Sequence, residues 1–214
     1  MGGRKLKIGI DCDEPLADFN SHLCPWVNAK YGTNYKRADI ISYKLWDIWK
    51  CSKEEALKRI EHFYEEQIEH VPPVEGSIAV VKELSLKHEL LVITSRFGSA
   101  ISKTAPWINQ HFPGSFSNIV FTKNYAKGGN GKTKAEICKE LDVDILIEDF
   151  IQYSLDCNKL GIPVILFNTP WNQDSELPEG ITKLPPGIVR VNNWEEVMEK
   201  IEIFSKNKES FYKL

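Results

Sequence analysis

The chain has 214 residues, with 27 Lys+Arg against 30 Asp+Glu and a formal net charge of −3. Apolar residues make up 42%, which excludes an intrinsically disordered chain and supplies a core for one or two domains. The charge balance lacks the basic excess of a nucleic-acid binder, so no nucleic-acid polymer is expected as a partner, while a nucleotide stays open as a small substrate.

The first strand-like run is Leu6-Lys7-Ile8-Gly9-Ile10. From there to Pro73 no good strand follows, and the stretch is rich in aromatics. It ends in a helix that starts at the capping box of Ser52 and Glu55, carries Leu57, Ile60, Tyr64 and Ile68 on one face, and stops at Val71-Pro72-Pro73. Residues 15–73 therefore read as a helical cap inserted after the first strand. Ile78, Val81 and Leu84 mark the next helix, followed by apolar runs at 90–93 and 119–121. Ile137, Cys138 and Leu141 mark another helix, followed by runs at 145–147 and 164–167. Thr169 to Gly187 holds four prolines and reads as a surface loop. A run at 188–191 and a helix with Trp194, Val197, Met198, Ile201 and Phe204 on one face complete the pattern. Most of the strand runs are continuous rather than alternating, as in strands buried on both faces of a parallel sheet. Strand and helix in alternation predict an α/β fold with a doubly wound parallel sheet. Its core would span 1–14 and 74–205, with a charged, frayed tail over 206–214.

Five cysteines, at 12, 24, 51, 138 and 157, form no C-x-x-C pair. Neither a zinc site nor a disulfide framework is indicated, and a reducing, cytoplasmic setting is expected. No apolar run approaches the roughly 20 residues of a membrane span, so no membrane partner is expected. The apolar run after the basic N-terminus stops at Asp11, too early for a signal peptide. Gly2 follows Met1, yet Leu6 stands where myristoylation needs Ser or Thr.

In a doubly wound sheet, ligands bind at the C-terminal strand ends. The first strand is followed by Asp11-Cys12-Asp13, the second by Thr94-Ser95-Arg96, the third by a loop reaching Gly131-Lys132-Thr133, and the fourth by Glu148-Asp149. Each residue alone reads equally well as a helix cap. Together, four carboxylates on one edge call for a cation, and hard oxygen donors suit Mg²⁺. Hydroxyls and a lysine beside them suit a bound phosphate, which points to phosphoryl transfer. The Gly128-Gly129-Asn130-Gly131-Lys132-Thr133 run fails the P-loop pattern, because Ala126 holds the first glycine position, and reads as a loop delivering Lys132.

Asp11-x-Asp13, Thr94, Lys132 and Glu148-Asp149, in that order, resemble the haloacid dehalogenase superfamily of phosphatases over about residues 5–168. The run from Asp11 to Phe19 is similar to the opening of the 5′(3′)-deoxyribonucleotidases of the cytosolic type C group, and the helical insertion to their C1-type cap. Many members have Gly at the place of Glu14 and Thr or Val at that of Pro15, which bears on specificity. The resemblance implies a Mg²⁺-dependent phosphomonoesterase working through an aspartyl-phosphate. Asp11 would be the nucleophile and Asp13 the general acid and base. Asp11, the backbone carbonyl of Asp13, and Asp149 would hold the metal, with Glu148 orienting waters around it. Thr94, the Ser95 N–H and Lys132 would hold the phosphoryl group. The implied substrate is a small phosphorylated molecule, a (deoxy)nucleoside monophosphate, with Phe19 against the base; a homodimer is left open.

Other residues read more plainly. Tyr43, Trp46 and Trp49 read as the cap's own core, and Trp171 as packing its loop down. Cys12 points away from the two aspartates by strand alternation. His62, Glu65 and Glu66 fit a solvated helix face. The alternatives are a phosphatase of another small metabolite such as a sugar phosphate, and a catalytically silent binding protein. A haloalkanoate dehalogenase fits less well, because Asp13 and a Mg²⁺ site serve phosphate chemistry.

Overall fold

The structure, a computed structural model, describes residues 4–124, 126–128 and 130–214; Gly2 and Gly129, named above, lie outside them. The apolar runs form six strands: β1 (Lys7–Ile10), β2 (Glu89–Thr94), β3 (Asn118–Phe121), β4 (Ile145–Glu148), β5 (Val164–Phe167) and β6 (Ile188–Val191). All pair in parallel, in the order β3-β2-β1-β4-β5-β6. The strand order reverses beside β1, so the crevice of a doubly wound sheet opens between the ends of β1 and β4. Ile8 faces Leu90 on one side and Ile145 on the other. The ladder continues one residue past β1, where the Asp11 N–H is donated to the Ile147 carbonyl at 2.9 Å.

The continuous runs feed two cores, one on each side of the sheet. Ile8, Ile10, Val92, Ile147 and Ile165 pack with α4 (Ser77–Lys87), α5 (Ala100–His111) and α8 (Trp194–Lys206). Leu91, Ile93, Leu146, Val164 and Leu166 pack with α6 (Lys134–Glu140) and α7 (Ile151–Lys159). Successive strand residues point to opposite faces, so both faces are filled.

Between β1 and α4 the chain forms α1 (Phe19–Tyr31), α2 (Leu45–Ile48) and α3 (Lys53–Glu66). Ser52 caps α3 by accepting the Glu55 N–H at 3.1 Å. α3 buries Ala56, Ile60, Phe63 and Tyr64, and the Phe19 ring of α1 meets Phe63 edge-on at 5.2 Å. The segment leaves and re-enters the sheet region at one point. Asp18 N–H is donated to Pro72 O at 2.9 Å and Val74 N–H to Leu16 O at 2.7 Å. Trp107 and Trp194 brace this stem by donating their indole N–H groups to Val71 O and Pro15 O, each at 2.8 Å.

The end of the chain differs from expectation. Residues expected to fray form α9 (Lys208–Phe211), capped by Asn207, and Phe211 is fully buried against Phe204 at 5.4 Å. Its charged neighbours masked one apolar residue two turns beyond Phe204. Among the described residues no helix is long and apolar enough to cross a membrane.

Candidate active site

Asp11 leaves β1 at the sheet's crevice, and Glu148-Asp149 leave β4 beside it. Carboxylate oxygens of Asp11, Glu148 and Asp149 lie within 4.8 Å of one another, all on buried residues. Lys134 enters this group from the first turn of α6. Its side chain is 0% exposed, with Nζ 2.9 Å from Asp11 Oδ1 and 2.6 Å from Glu148 Oε2, and it lies over the Tyr153 ring at 4.7 Å. Local sequence puts it there. Thr133 and Glu136 form a reciprocal capping box, so α6 starts at Lys134 and aims it at the sheet edge.

The electrostatics are those of crowded acids with too little positive charge. Burial pushes the Asp11 carboxyl up to about 7, against the pull of Lys134 and with added repulsion from Glu148 and Asp13. Burial, then Glu148 and Asp11, push Asp149 well above the usual carboxylate range. Burial opposes the charge on Lys134, yet Asp11 and Glu148 hold its ammonium well above the usual range. Such a donor set fits a hard divalent cation. Glu148 has one oxygen on Lys134 and accepts the Phe150 N–H with the other, at 3.2 Å. Asp149 Oδ2 accepts the Trp171 indole N–H at 2.7 Å, and Asn172 donates to the Asp149 carbonyl at 2.7 Å. That leaves the other Asp11 oxygen and the second Asp149 oxygen as side-chain donors that could hold a cation.

Asp13 is turned to a different partner. Arg96 Nε lies 3.1 Å from both of its oxygens and Nη2 lies 2.6 Å from Oδ1. The Arg96 side chain is itself fully buried, over the Trp107 ring at 5.6 Å. Thr94, at the end of β2, is buried and accepts the Arg96 N–H at 3.2 Å. Ser95 Oγ lies 2.8 Å from Thr122 Oγ1, and Asn124 donates to the Ser95 carbonyl at 2.8 Å. These contacts hold the β2 loop rigid beside Asp11.

A cavity of about 840 Å³, counting its mouth, begins at these residues and runs under the helical segment. Asp11, Asp13, Thr94, Ser95 and Asp149 line its inner end. Phe19, Leu45, Trp46, Leu57, Ile60 and Tyr64 line the rest, a mostly apolar wall.

Residues 4–208 match the family described as 5′ nucleotidase, deoxy (pyrimidine), cytosolic type C protein. The chain belongs to this nucleotidase family. It is a phosphoric monoester hydrolase. It is 30% identical over 200 residues to a 5′(3′)-deoxyribonucleotidase of Bacillus subtilis, covering 92% of this chain and 99% of that protein. It is 27% identical over 207 residues to a putative nucleotidase, YqfW, of the same organism, covering 95% of each. A haloacid dehalogenase-like hydrolase from Streptococcus pneumoniae shares the fold, with a TM-score of 0.64 and 17% identity over 92% of this chain and 98% of that one.

Of the residues expected at the site, Asp11, Asp13, Phe19, Thr94, Ser95 and Asp149 line the cavity, Glu148 is buried beside them in the acid cluster, and Lys132 stands apart. Lys132 is 57% exposed and pairs with Glu140 at 2.7 Å, so the place expected for it belongs to Lys134. The Thr133-x-x-Glu136 cap is the signal that places it, since Thr133 as N-cap makes Lys134 the first residue of the helix. Arg96 was visible after β2 but had no role, because nothing local in sequence shows that Asp13 is its partner. Asp13 contributes no side-chain oxygen to the acidic cluster. Trp171 packs its loop down as expected, yet also binds Asp149. Tyr43 packs with Cys24 and Ile40 of the helical segment as expected, and it also stacks on Phe150 at 3.7 Å and lines the cavity. Trp49 is buried beneath Arg59, at 5.9 Å. Cys12 is buried, and His62 pairs with Glu66 at 2.8 Å on an exposed face.

Proposed function

We propose that this nucleotidase is a Mg²⁺-dependent enzyme that hydrolyses (deoxy)nucleoside monophosphates through an aspartyl-phosphate, with the helical segment as its substrate-binding cap. The buried Lys134, bridging Asp11 and Glu148 beside Asp149 at the inner end of an apolar cavity, carries this reading. An Asp11 oxygen attacks phosphorus as the ester P–O bond breaks, and the leaving oxygen takes a proton from the Asp13 carboxyl. Water then attacks the phosphoryl group, Asp13 takes its proton, and phosphate leaves with Asp11 restored. Arg96 holds the Asp13 carboxyl in place for this exchange.

Thr94, Ser95 and Lys134 bind the phosphoryl oxygens and offset charge there. Mg²⁺, held by Asp11, the Asp13 carbonyl and Asp149 and supported by Glu148, would supply the positive charge that the acid cluster lacks and would polarise the phosphoryl group. Phe19 sits where an aromatic wall meets the first motif, although its edge-on contact with Phe63 gives it a packing role as well.

The chain's likeness to a protein named as a 5′(3′)-deoxyribonucleotidase supports the nucleotide substrate. The mostly apolar wall gives no support to a polyhydroxylated sugar phosphate. Phosphate release from a panel of nucleoside and sugar monophosphates, with Mg²⁺ and with chelator, tests the proposal. Mg²⁺-dependent release favouring nucleotides, abolished by Asp11→Asn, is expected. Full turnover in Asp11→Asn would refute the mechanism, and activity on sugar phosphates alone would refute the substrate.

A further inference from the structure

Asn20 sits in the first turn of α1, 9% exposed, and lines the cavity. Its backbone N–H is donated to Glu14 Oε1 at 2.7 Å, but its side-chain amide has no hydrogen-bond partner among the described residues. Its neighbour Phe19 is turned to Phe63 and Tyr64. Asn20 shares the other helix face with Cys24, one turn on, which packs with Ile40 and Trp171. Asn20 thus leaves α1 on the side that carries Cys24, and it lines the same cavity as Trp171 and Asp149.

A carboxamide that no protein group matches and that faces a cavity keeps both its N–H and its C=O for whatever fills that cavity, and a ligand that meets both gains two hydrogen bonds there. Most of the cavity wall beyond the phosphate end is apolar. A polyol would bring several hydroxyls to one amide and leave the others dry. A planar heterocycle lays its faces on apolar walls and presents a donor and an acceptor side by side on one edge. That edge matches a carboxamide, as asparagine matches the edge of adenine. We propose that Asn20 is a specificity-determining residue whose carboxamide pairs with the hydrogen-bonding edge of the base, a role that rests on the nucleotide reading above.

The test is the ratio of kcat/KM for the best of the four common deoxynucleoside monophosphates to that for deoxyribose 5-phosphate, which carries no base. It is measured in the parent, in Asn20→Ala, and in Asn20→Leu, which keeps the side chain's bulk and guards against collapse of the site. The ratio is expected to fall about tenfold or more in both variants, mainly through KM for the nucleotide. A ratio within about twofold of the parent in both variants overturns the role of Asn20, including the case where both substrates lose activity equally. A parent that hydrolyses deoxyribose 5-phosphate but no nucleotide overturns the nucleotide reading, and this inference with it.

Discussion

Two lysines separated by one residue have opposite fates, and the difference is a matter of helix geometry. Lys132 precedes the cap of α6 and reaches only Glu140 in solvent. Lys134 follows the cap and is drawn into the acid cluster, where two carboxylates offset the cost of burying its ammonium. Turnover should divide the same way. Lys134→Met, which keeps the bulk of the side chain, is expected to lower kcat by about a hundredfold or more, the scale of losing one preorganised donor. Lys132→Met should stay within about twofold, since exposed ion pairs contribute little. Steady-state kinetics on both variants, with circular dichroism to confirm folding, make the comparison. Residues at strand ends were legible in sequence because each apolar run announces its own end. Pairings such as Asp13 with Arg96 were not, because they join residues far apart in the chain and leave no local trace.

At the scale of elements, the helical segment shares an apolar core with the sheet and is seated on it by specific polar contacts. Glu61 of α3 reaches the loop after β2 and accepts the Ser99 N–H at 2.8 Å, just before α5. Gly98 makes room for it: at φ +57°, an added Cβ would lie 1.9 Å from Glu61 Oε2. Gly98→Ala is therefore expected to destabilise the protein by about 1–2 kcal/mol from the left-handed backbone alone, with a further loss from displacing Glu61. In Gly98→Ala/Glu61→Ala the steric part should vanish, so the two changes would be clearly non-additive in thermal denaturation. Additive losses would mean that Glu61 moves aside freely. The capping box at Ser52 and the apolar stripe made α3 readable in sequence. One contact that seats α3 at the start of α5 depends on a glycine, which sequence alone offers only as a turn.

For the molecule as a whole, the acid cluster sets how stability responds to pH. Asp11 titrates near 7 in the folded chain and near 3.8 when free, so between these values the folded state binds more protons than the unfolded one. Its contribution thus falls as pH rises from about 4 to 7, and Asp149, shifted the same way, adds to the loss. A bound cation removes this penalty and releases protons as it binds. The melting temperature with Mg²⁺ should therefore exceed that with chelator, by a margin that widens from pH 6 to pH 8. A margin that is flat or narrows with pH would disconnect the cluster from metal binding. The sheet was readable from its apolar runs, and so was the edge that carries the site. The buried tail was not, because one phenylalanine among charges gives no periodic signal.

The central place of β1 also bears on how the site is built during synthesis. β1 is made before every other strand of the sheet, yet it pairs with β2 at Leu90 and with β4 at Ile145. Its apolar residues, and Asp11 behind them, must wait on the nascent chain while the whole helical segment emerges. Lys134 arrives only with α6, shortly before β4 closes the crevice. A ribosome-bound chain that stops short of β4 therefore carries Asp11 without Glu148 and Asp149, and an unpaired strand for chaperones to shield.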